Sequence, residues 1–287
     1  MNTRTHGPTR RHLIQSAGAG VVCLAAAAAT GKAADPGKKP PVRKTAAPLG
    51  LPTYMFKNYD LDQTITMAQR VAVRHICIRS NLLPMNSSPE QIKKCIAKVT
   101  GAGLLPYGGG VIYMRTEAQV NEAFEYSRRA GFKVISISIL PSLLGLLERM
   151  VKKFDIRAAI HNHGPDDKHW PVPEAIYAKV NRLDKRIGIC HDTGHTQRAG
   201  VDPAKALRKT ADRTFDIHLK DVDAATRKGQ SVELGRGIVD IPAILRVAGK
   251  VGYRDVVGIE YEKHMTDLLP GLAESVGYAR GALAAIG

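Results

Sequence analysis

Cysteine is scarce in this sequence, which has only four in 287 residues: Cys23, Cys77, Cys95 and Cys190. Cys23 falls in an apolar N-terminal segment, so three remain for the body of the chain. An odd number without close spacing argues against a disulfide framework. Cys77 and Cys190 stand inside apolar runs that are typical of strands, and we expect both to be buried free thiols.

Long apolar runs and a phosphate-binding glycine loop are also missing. Beyond residue 34 no stretch approaches the roughly 20 apolar residues that span a bilayer, so we expect no stable membrane anchor once a signal segment is removed. Gly108, Gly109 and Gly110 follow a predicted third strand rather than the first, and they lack the context of a dinucleotide-binding fingerprint.

Positive charge is enriched at the N-terminus. The net charge is +16, and residues 1–44 contain eight Lys or Arg and one Asp (+7), which leaves +9 for the rest. The remainder shows no clustered basic stripe interleaved with aromatics, so no nucleic-acid partner is expected. A basic surface of this kind could favour anionic substrates or simply keep the protein soluble.

The first 34 residues have the layout of an export signal. Arg10 and Arg11 precede an apolar run over 17–29, and the small residues around Ala33 and Ala34 offer a cleavage site. This predicts a twin-arginine signal peptide over 1–34 and a periplasmic or extracellular location. The alternative is a basic, disordered N-terminus. Residues 35–47, rich in Pro and Lys, predict an extended linker.

Residues 48–287 alternate short apolar runs with longer amphipathic ones. The predicted strands are 49–55, 75–79, 104–111, 134–139, 156–163, the start of 187–195, 215–219 and 255–261. The predicted helices are 61–73, 88–101, 117–130, 141–153, 174–181, one beginning after Asp202, 241–249 and 265–285. This order predicts an α/β fold, a (β/α)8 TIM barrel with its active site at the carboxyl ends of the strands. An open doubly wound sheet is the alternative.

Possible metal ligands stand at the ends of consecutive predicted strands. Asp192 and His195 close the sixth strand, His218 closes the seventh and Glu260 the eighth. The fifth strand adds a pair on one face, His161 and His163, because side chains alternate with period two. A mixture of carboxylate and imidazole suits Mn²⁺, Zn²⁺, Co²⁺, Fe²⁺ or Mg²⁺, and not a thiolate zinc site.

Each of these residues also has a structural interpretation that does not involve a metal ion. Asp192 could only cap the turn that follows it, and His195 could be an exposed loop histidine. His218 could be satisfied inside the barrel by Asp216. Lys220 shares the face of His218 and could neutralise an oxyanion, or it could be a solvated surface lysine. Glu260 is hardest to explain plainly, because a carboxylate at the end of an apolar strand is costly unless it is paired.

Several blocks of the sequence carry a family resemblance. They are His161-Asn-His-Gly164, His191-Asp-Thr-Gly-His195, Ile217-His-Leu-Lys-Asp221, Leu234-Gly-Arg-Gly-Ile-Val-Asp240 and Gly252-Tyr-Arg-Asp-Val-Val-Gly-Ile-Glu-Tyr-Glu262. Together they resemble the xylose-isomerase-like TIM barrels, which include sugar epimerases and isomerases, inosose dehydratase and endonuclease IV.

The resemblance implies a site. In the family one divalent ion is held by Glu, Asp, His and Glu on strands five to eight, and Asp192, His218 and Glu260 match the last three. His195 matches a family histidine that contacts substrate or assists the metal. On strand five His161 stands where relatives have Glu; it can still bind metal but does not easily replace a carboxylate base. Arg236 also stands where relatives often have Glu.

The expected activity is metal-dependent isomerisation or epimerisation of a sugar or keto-sugar through an enediolate. We expect a ligand set of His161, Asp192, His218 and Glu260, catalytic roles for Glu260, His195 and Lys220, and substrate contacts from His163, His195 and Arg79. The alternatives are a sugar or cyclitol dehydratase or keto-glycoside lyase, and a non-catalytic sugar-binding barrel. A nuclease of the endonuclease IV type is disfavoured because residues 221–236 contain no histidine. A homo-oligomer is left open.

Overall fold

A closed barrel of eight parallel strands forms the body of the protein, seen in a computed structural model that describes Met1 and residues 47–286. The predicted signal peptide and nearly all of the predicted linker lie outside the described residues. Neighbouring strands follow one another in chain order around the barrel, and the first strand pairs with the last to close it. The predicted TIM barrel is therefore confirmed.

The elements lie close to the predicted ones. The barrel strands are β1 Leu49–Pro52, β2 His75–Ile78, β3 Leu105–Met114, β4 Val134–Ile139, β5 Arg157–His161, β6 Ile187–Asp192, β7 Thr214–Leu219 and β10 Val257–Ile259. The helices are α1 Leu61–Arg70, α2 Pro89–Gly101, α3 Glu117–Ala130, α4 Leu144–Phe154, α5 Pro173–Val180, α6 Thr193–Arg198, α7 Pro203–Thr210, α8 Ile241–Lys250 and α9 Leu269–Ile286.

Local sequence signals account for several of these boundaries. Ser88 begins α2 with a capping box in which its hydroxyl accepts from Gln91 N and the Gln91 side chain accepts from Ser88 N. Gly131 ends α3 with φ 75°, a left-handed conformation that costs glycine little. Asp202 caps α7, with Pro203 at the first helical position.

Several boundaries differ from the predictions, three of them at the carboxyl ends of strands. The first strand stops at Pro52 and continues as a 3-10 turn, Thr53–Phe56. β3 runs on to Met114 because its outer half keeps pairing with β4. β5 stops at His161, so His163 lies beyond it in a loop. Beyond the predicted elements, Asp221 lies in a short antiparallel hairpin, β8 Asp221–Val222 with β9 Ser231–Val232.

The main core lies between the barrel and its helices, and a smaller cluster fills the barrel interior. The interior cluster contains Val134, Ala159, Cys190 and Phe215, with Tyr107 packed on it. Cys77, Cys95 and Cys190 are buried free thiols, which confirms the prediction for Cys77 and Cys190. Among the described helices none combines the length and apolar character needed to cross a membrane.

Candidate metal centre

Four buried side chains converge at the carboxyl end of the barrel. His161 ends β5, Asp192 ends β6, His218 lies in β7 and Glu260 directly follows β10. One ligand atom from each lies within 4.8 Å of the others. The structure thus brings together the four residues that the sequence proposed as metal ligands, because parallel strands end at the same edge of the barrel.

The ligand atoms lie close to one another. His161 Nε2 is 3.2 Å from His218 Nδ1 and 3.5 Å from Asp192 Oδ2, and His218 Nδ1 is 2.5 Å from Glu260 Oε2. Asp192 Oδ2 and Glu260 Oε2 are buried, and within the described chain neither accepts a hydrogen bond of regular geometry. Buried polar atoms are normally satisfied. Two imidazoles and two carboxylates that are buried together with unsatisfied atoms could hold a divalent cation.

Asp216 orients His218 from inside the barrel. Its Oδ2 lies 3.3 Å from His218 Nε2 and accepts a hydrogen bond from Ser136 Oγ at 2.7 Å. With Nε2 directed at this carboxylate, Nδ1 of His218 is left for the cluster, an arrangement found around metal-bound histidines. Asp216 therefore lies beside Nε2 of His218, whereas Nδ1 is the ring nitrogen that faces His161 and Glu260.

Cys190 lies next to the cluster but is a poorer metal ligand than the other members. Its sulfur also comes within reach of His161 and His218. Burial, however, raises the pKa of Cys190 to about 12, which keeps it a neutral thiol, and the thiolate is the form that binds metal. The carboxylate-containing set is therefore the better cation site.

Asp192 serves two roles with its two oxygens. Oδ1 accepts from His195 N at 2.7 Å and caps α6, whereas Oδ2 faces the cluster. The Asn162 side chain forms two hydrogen bonds with the backbone of Asp192: its Oδ1 accepts from Asp192 N at 2.9 Å, and its Nδ2 donates to Asp192 O at 3.2 Å. The capping interpretation is correct but incomplete, since the cap uses only Oδ1 and leaves Oδ2 facing the cluster.

Lys220 is buried among the carboxylates and is not a solvated surface lysine. Its Nζ lies 2.9 Å from Asp192 Oδ2 and 2.9 Å from Glu262 Oε2. Burial alone would lower the pKa of Lys220, but Asp192, Glu260 and Glu262 raise it well above its ordinary value. The ammonium group therefore balances part of the negative charge next to the cluster.

The neighbouring helix α6 shapes the path of the Lys220 side chain. The Thr193 hydroxyl accepts from Lys220 N at 2.9 Å and donates to Lys220 O at 2.8 Å. A Cβ atom at Gly194 would lie 2.7 Å from Lys220 Cγ, so the absence of a side chain there makes room for the lysine.

A cavity of about 240 Å³ opens directly above the cluster. Its lining includes three residues predicted to contact substrate, Arg79, His163 and His195. Arg79 stacks on Tyr54, with its guanidinium carbon 4.4 Å from the ring centre. The His163 ring lies 4.4 Å from that of His161, even though His163 has left the strand. Arg236, in contrast, lies at the surface in an ion pair with Glu274.

Three contributors to the site were not assigned a role from the sequence: Asn162, Arg198 and Glu262. Asn162 follows the last residue of β5, where strand alternation no longer predicts direction. Arg198 is three residues after His195 and contacts its ring, a helical spacing that could have indicated the contact. Glu262 lines the cavity and pairs with Lys220.

Comparisons with known proteins agree with this architecture. Residues 112–282 match the family model described as xylose isomerase-like TIM barrel. The chain is 29% identical over 153 residues to the rhizopine catabolism protein MocC of Rhizobium meliloti. That match covers 48% of this chain and 45% of the relative, so the chain spans less than half of the relative's length.

Solved structures with the same fold have sequences that differ widely from this one. A structure of L-ribulose 3-epimerase has a TM-score of 0.67 at 13% identity, covering 84% of this chain and 95% of that one. A structure of the IOLI protein with a binding zinc atom has a TM-score of 0.66 at 18% identity, covering 83% of this chain and 97% of that one. A structure of the probable 3-DHS dehydratase AsbF of Bacillus anthracis has a TM-score of 0.64 at 11% identity, covering 81% of this chain and 98% of that one. The family match over most of the barrel, on a fold shared with these enzymes, shows that the chain belongs to the xylose isomerase-like TIM barrels.

Proposed function

We propose that this chain is a divalent-metal-dependent sugar isomerase or epimerase that removes a proton next to a carbonyl group. The observation that carries the proposal is the buried set of His161, Asp192, His218 and Glu260 at the floor of an open cavity. A divalent ion held there would polarise a substrate carbonyl and stabilise the negative charge that develops on its oxygen. Two nitrogen donors favour Mn²⁺, Fe²⁺, Co²⁺ or Zn²⁺ over Mg²⁺.

Glu260 is the proposed base. Burial alone would raise its pKa, but Lys220 and His218 lower the pKa well below its ordinary value, so the carboxylate is ionised at neutral pH. It lines the cavity and lies within 3.8 Å of the Lys220 ammonium group. An ionised carboxylate at the cavity floor can accept a proton from a carbon placed above it.

The second proton needs another group, because strand five carries His161 instead of a carboxylate. Nε2 of His161 points into the ligand cluster, and burial lowers its pKa to about 3, so it is unsuited to carry a proton. Glu262 faces the same cavity, and burial raises its pKa. Glu262 and His195 are the proposed partners of Glu260, while Arg79 and His163 would bind substrate hydroxyl groups.

A metal-dependent dehydratase or keto-glycoside lyase is the second candidate. The missing carboxylate on strand five favours it, because β-elimination needs one proton removed from carbon and a leaving group released, not a proton returned from the opposite face. A fold neighbour named as a probable 3-DHS dehydratase is consistent with such chemistry on this fold.

Solvent exchange tests the proposal. The metal-loaded protein is incubated in D₂O with sugars, keto-sugars and cyclitols, and the products are followed by NMR and mass spectrometry. Deuterium at one carbon of a rearranged sugar supports isomerisation, and loss of water or of an aglycone supports the lyase. If no substrate exchanges and no divalent ion binds, the protein is a sugar-binding barrel instead.

Glu260→Gln provides the decisive variant. It should retain most metal binding, since the amide oxygen can still coordinate, but lose solvent exchange. The exposed Glu122 on α3 supplies a matched control, because Glu122→Gln changes the same group far from the site. Wild-type exchange in a metal-bound Glu260→Gln protein would end the assignment of Glu260 as base.

We also propose export by the twin-arginine route, on the strength of Arg10 and Arg11 before the apolar run over 17–29. The route carries folded proteins, so the metal could be acquired before export. Replacing both arginines with lysine should leave the protein in the cytoplasm, as cell fractionation would show; unchanged export would refute the route.

A further inference from the structure

The cavity above the metal cluster adjoins a larger one. A second cavity of about 520 Å³ lies over the ends of β3, β4 and β5, and both cavities are lined by Tyr113 and His163. Ligand sites commonly enclose about 300–1,000 Å³, so the inner cavity of about 240 Å³ is small for a site on its own. The two cavities therefore adjoin at the carboxyl end of the barrel.

We propose that the outer cavity is a subsite for a second ring of the substrate, so that the reacting sugar is one part of a two-ring molecule such as a disaccharide or a glycoside. This inference rests on the proposed function, because it places the reacting ring over the cluster. Tyr113, exposed to 48%, lines both cavities, so the exposed part of its ring is placed to contact a sugar ring.

The outer cavity is a built feature with fixed walls. Arg115 at its edge donates to Ser138 O at 2.7 Å and to Ser138 Oγ at 3.0 Å, which ties the end of β3 to the end of β4. Trp170 is buried, and its indole N–H donates to Ile139 O at 2.6 Å. Asp167 closes the loop after β5 by accepting from His169 N and Trp170 N.

The charges of the lining favour a neutral occupant. The Arg115 guanidinium is already engaged by Ser138 and lies 5.3 Å from the Tyr113 ring centre. The charges of Arg115 and Lys168 are matched by those of Asp166 and Asp167 in the same lining, and Asp166 also pairs with Arg198. The lining therefore has no excess of positive charge for a phosphate or carboxylate group, whereas a neutral ring would meet aromatic and aliphatic walls with polar groups at their edges.

The only tryptophan of the chain reports on this cavity. In the Mn²⁺-loaded protein, cellobiose, maltose and their 3-keto derivatives are titrated against glucose, fructose and 3-ketoglucose, and Trp170 fluorescence is recorded. At least one two-ring sugar should change the emission saturably, with an apparent Kd at least tenfold below that of the matching single-ring sugar. Equal responses, or no response to any two-ring sugar, would overturn the proposal.

Two variants sharpen the test. Tyr113→Ala should weaken the two-ring response at least tenfold, while Tyr278→Ala, which removes a similarly exposed tyrosine on α9, should not. Leu140→Trp fills the outer cavity and should lower the ratio of kcat/KM for two-ring over single-ring substrates at least tenfold; an unchanged ratio counts against the subsite. Two-ring binding without solvent exchange would support the subsite and refute the proposed function, and exchange without a two-ring preference would do the reverse.

Discussion

Arg198 donates a hydrogen bond from Nη1 to Nδ1 of His195, three residues earlier on α6, at 3.1 Å. A guanidinium group has no acceptor, so Nδ1 of His195 must be unprotonated. Burial lowers the pKa of His195 to about 4, so the ring is neutral at pH 7 and carries its proton on Nε2. That nitrogen lies 3.9 Å from Asp192 Oδ2. His195 is thus set as a hydrogen-bond donor toward the cavity, not as a metal ligand.

Replacing Arg198 should remove the constraint that fixes the tautomer of His195. In Arg198→Met, we expect His195 to populate both neutral tautomers, and kcat to fall about 10- to 100-fold, the range typical of lost outer-shell partners. Nitrogen-15 NMR of the imidazole gives the tautomer directly. Arg208→Met on α7 is the matched control. A single Nε2–H tautomer in the Arg198 variant would contradict the assignment.

Restoring a carboxylate on strand five should change the metal preference. His161→Glu replaces a nitrogen donor with oxygen, which favours Mn²⁺ and Mg²⁺ relative to Zn²⁺. Competition titrations should show the Zn²⁺/Mn²⁺ affinity ratio falling by about tenfold or more. His169→Gln, on the loop after β5 but outside the cluster, should leave the ratio unchanged. An unchanged ratio in His161→Glu would show that His161 is not a ligand.

Lys220 should stabilise the metal-free protein. Lys220→Met leaves Asp192 and Glu262 without their ammonium partner, and breaking a buried ion pair lowers the free energy of unfolding by about 3–5 kcal/mol. Added Mn²⁺ should recover much of that loss, because a cation that binds only the folded state stabilises it.

Thermal unfolding with Mn²⁺ and with EDTA measures both effects. The exposed Lys205 on α7 is the control, since Lys205→Met removes a surface charge of little energetic weight. The prediction is wrong if the EDTA-treated Lys220 variant unfolds at the wild-type temperature.

Asp221 should be a main determinant of stability in the segment that follows the seventh barrel strand. Its Oδ1 accepts from Val222 N and Val239 N, and its Oδ2 accepts from Gly235 N and Gly237 N, all at 2.9–3.0 Å. Asp221→Asn turns one oxygen into a donor that faces two N–H groups, which should lower the free energy of unfolding by about 2–3 kcal/mol.

Urea denaturation measures this loss, with Asp223→Asn as the comparison because Asp223 accepts a single hydrogen bond near the surface, from Gln230 N. Asp223→Asn should change stability by less than about 1 kcal/mol. Equal effects of the two substitutions would refute the role of Asp221.

Much of the fold could be predicted because local signals and periodicity agree. α3 and β4 have the predicted bounds, since Gly131 marks the end of the helix and a continuous apolar run marks the strand. The cluster of His161, Asp192, His218 and Glu260 was predictable in outline for a related reason. Once the strands are parallel, residues at their carboxyl ends must converge, and Asp192, His218 and Glu260 all stand there.

Side-chain burial and long-range contacts could not be predicted in the same way. Lys220 reads equally well as a surface lysine, because its partners Asp192 and Glu262 are 28 and 42 residues away in sequence. Asp221 looks like an ordinary loop residue until residues 235–239 fold back around it. The outer cavity depends on β3 continuing to Met114 and on Trp170 packing under Ile139.

The barrel and the four residues of the cluster could be predicted from strand periodicity and chain order, which decide which side chains reach one edge. How these side chains interact depends on the tertiary structure. It assigned separate roles to the two oxygens of Asp192, directed the Nε2 proton of His195 toward the cavity and placed a buried ammonium group beside the carboxylates. Each of these depends on contacts between groups brought together by folding, whose distances and burial decide the charge state of every member.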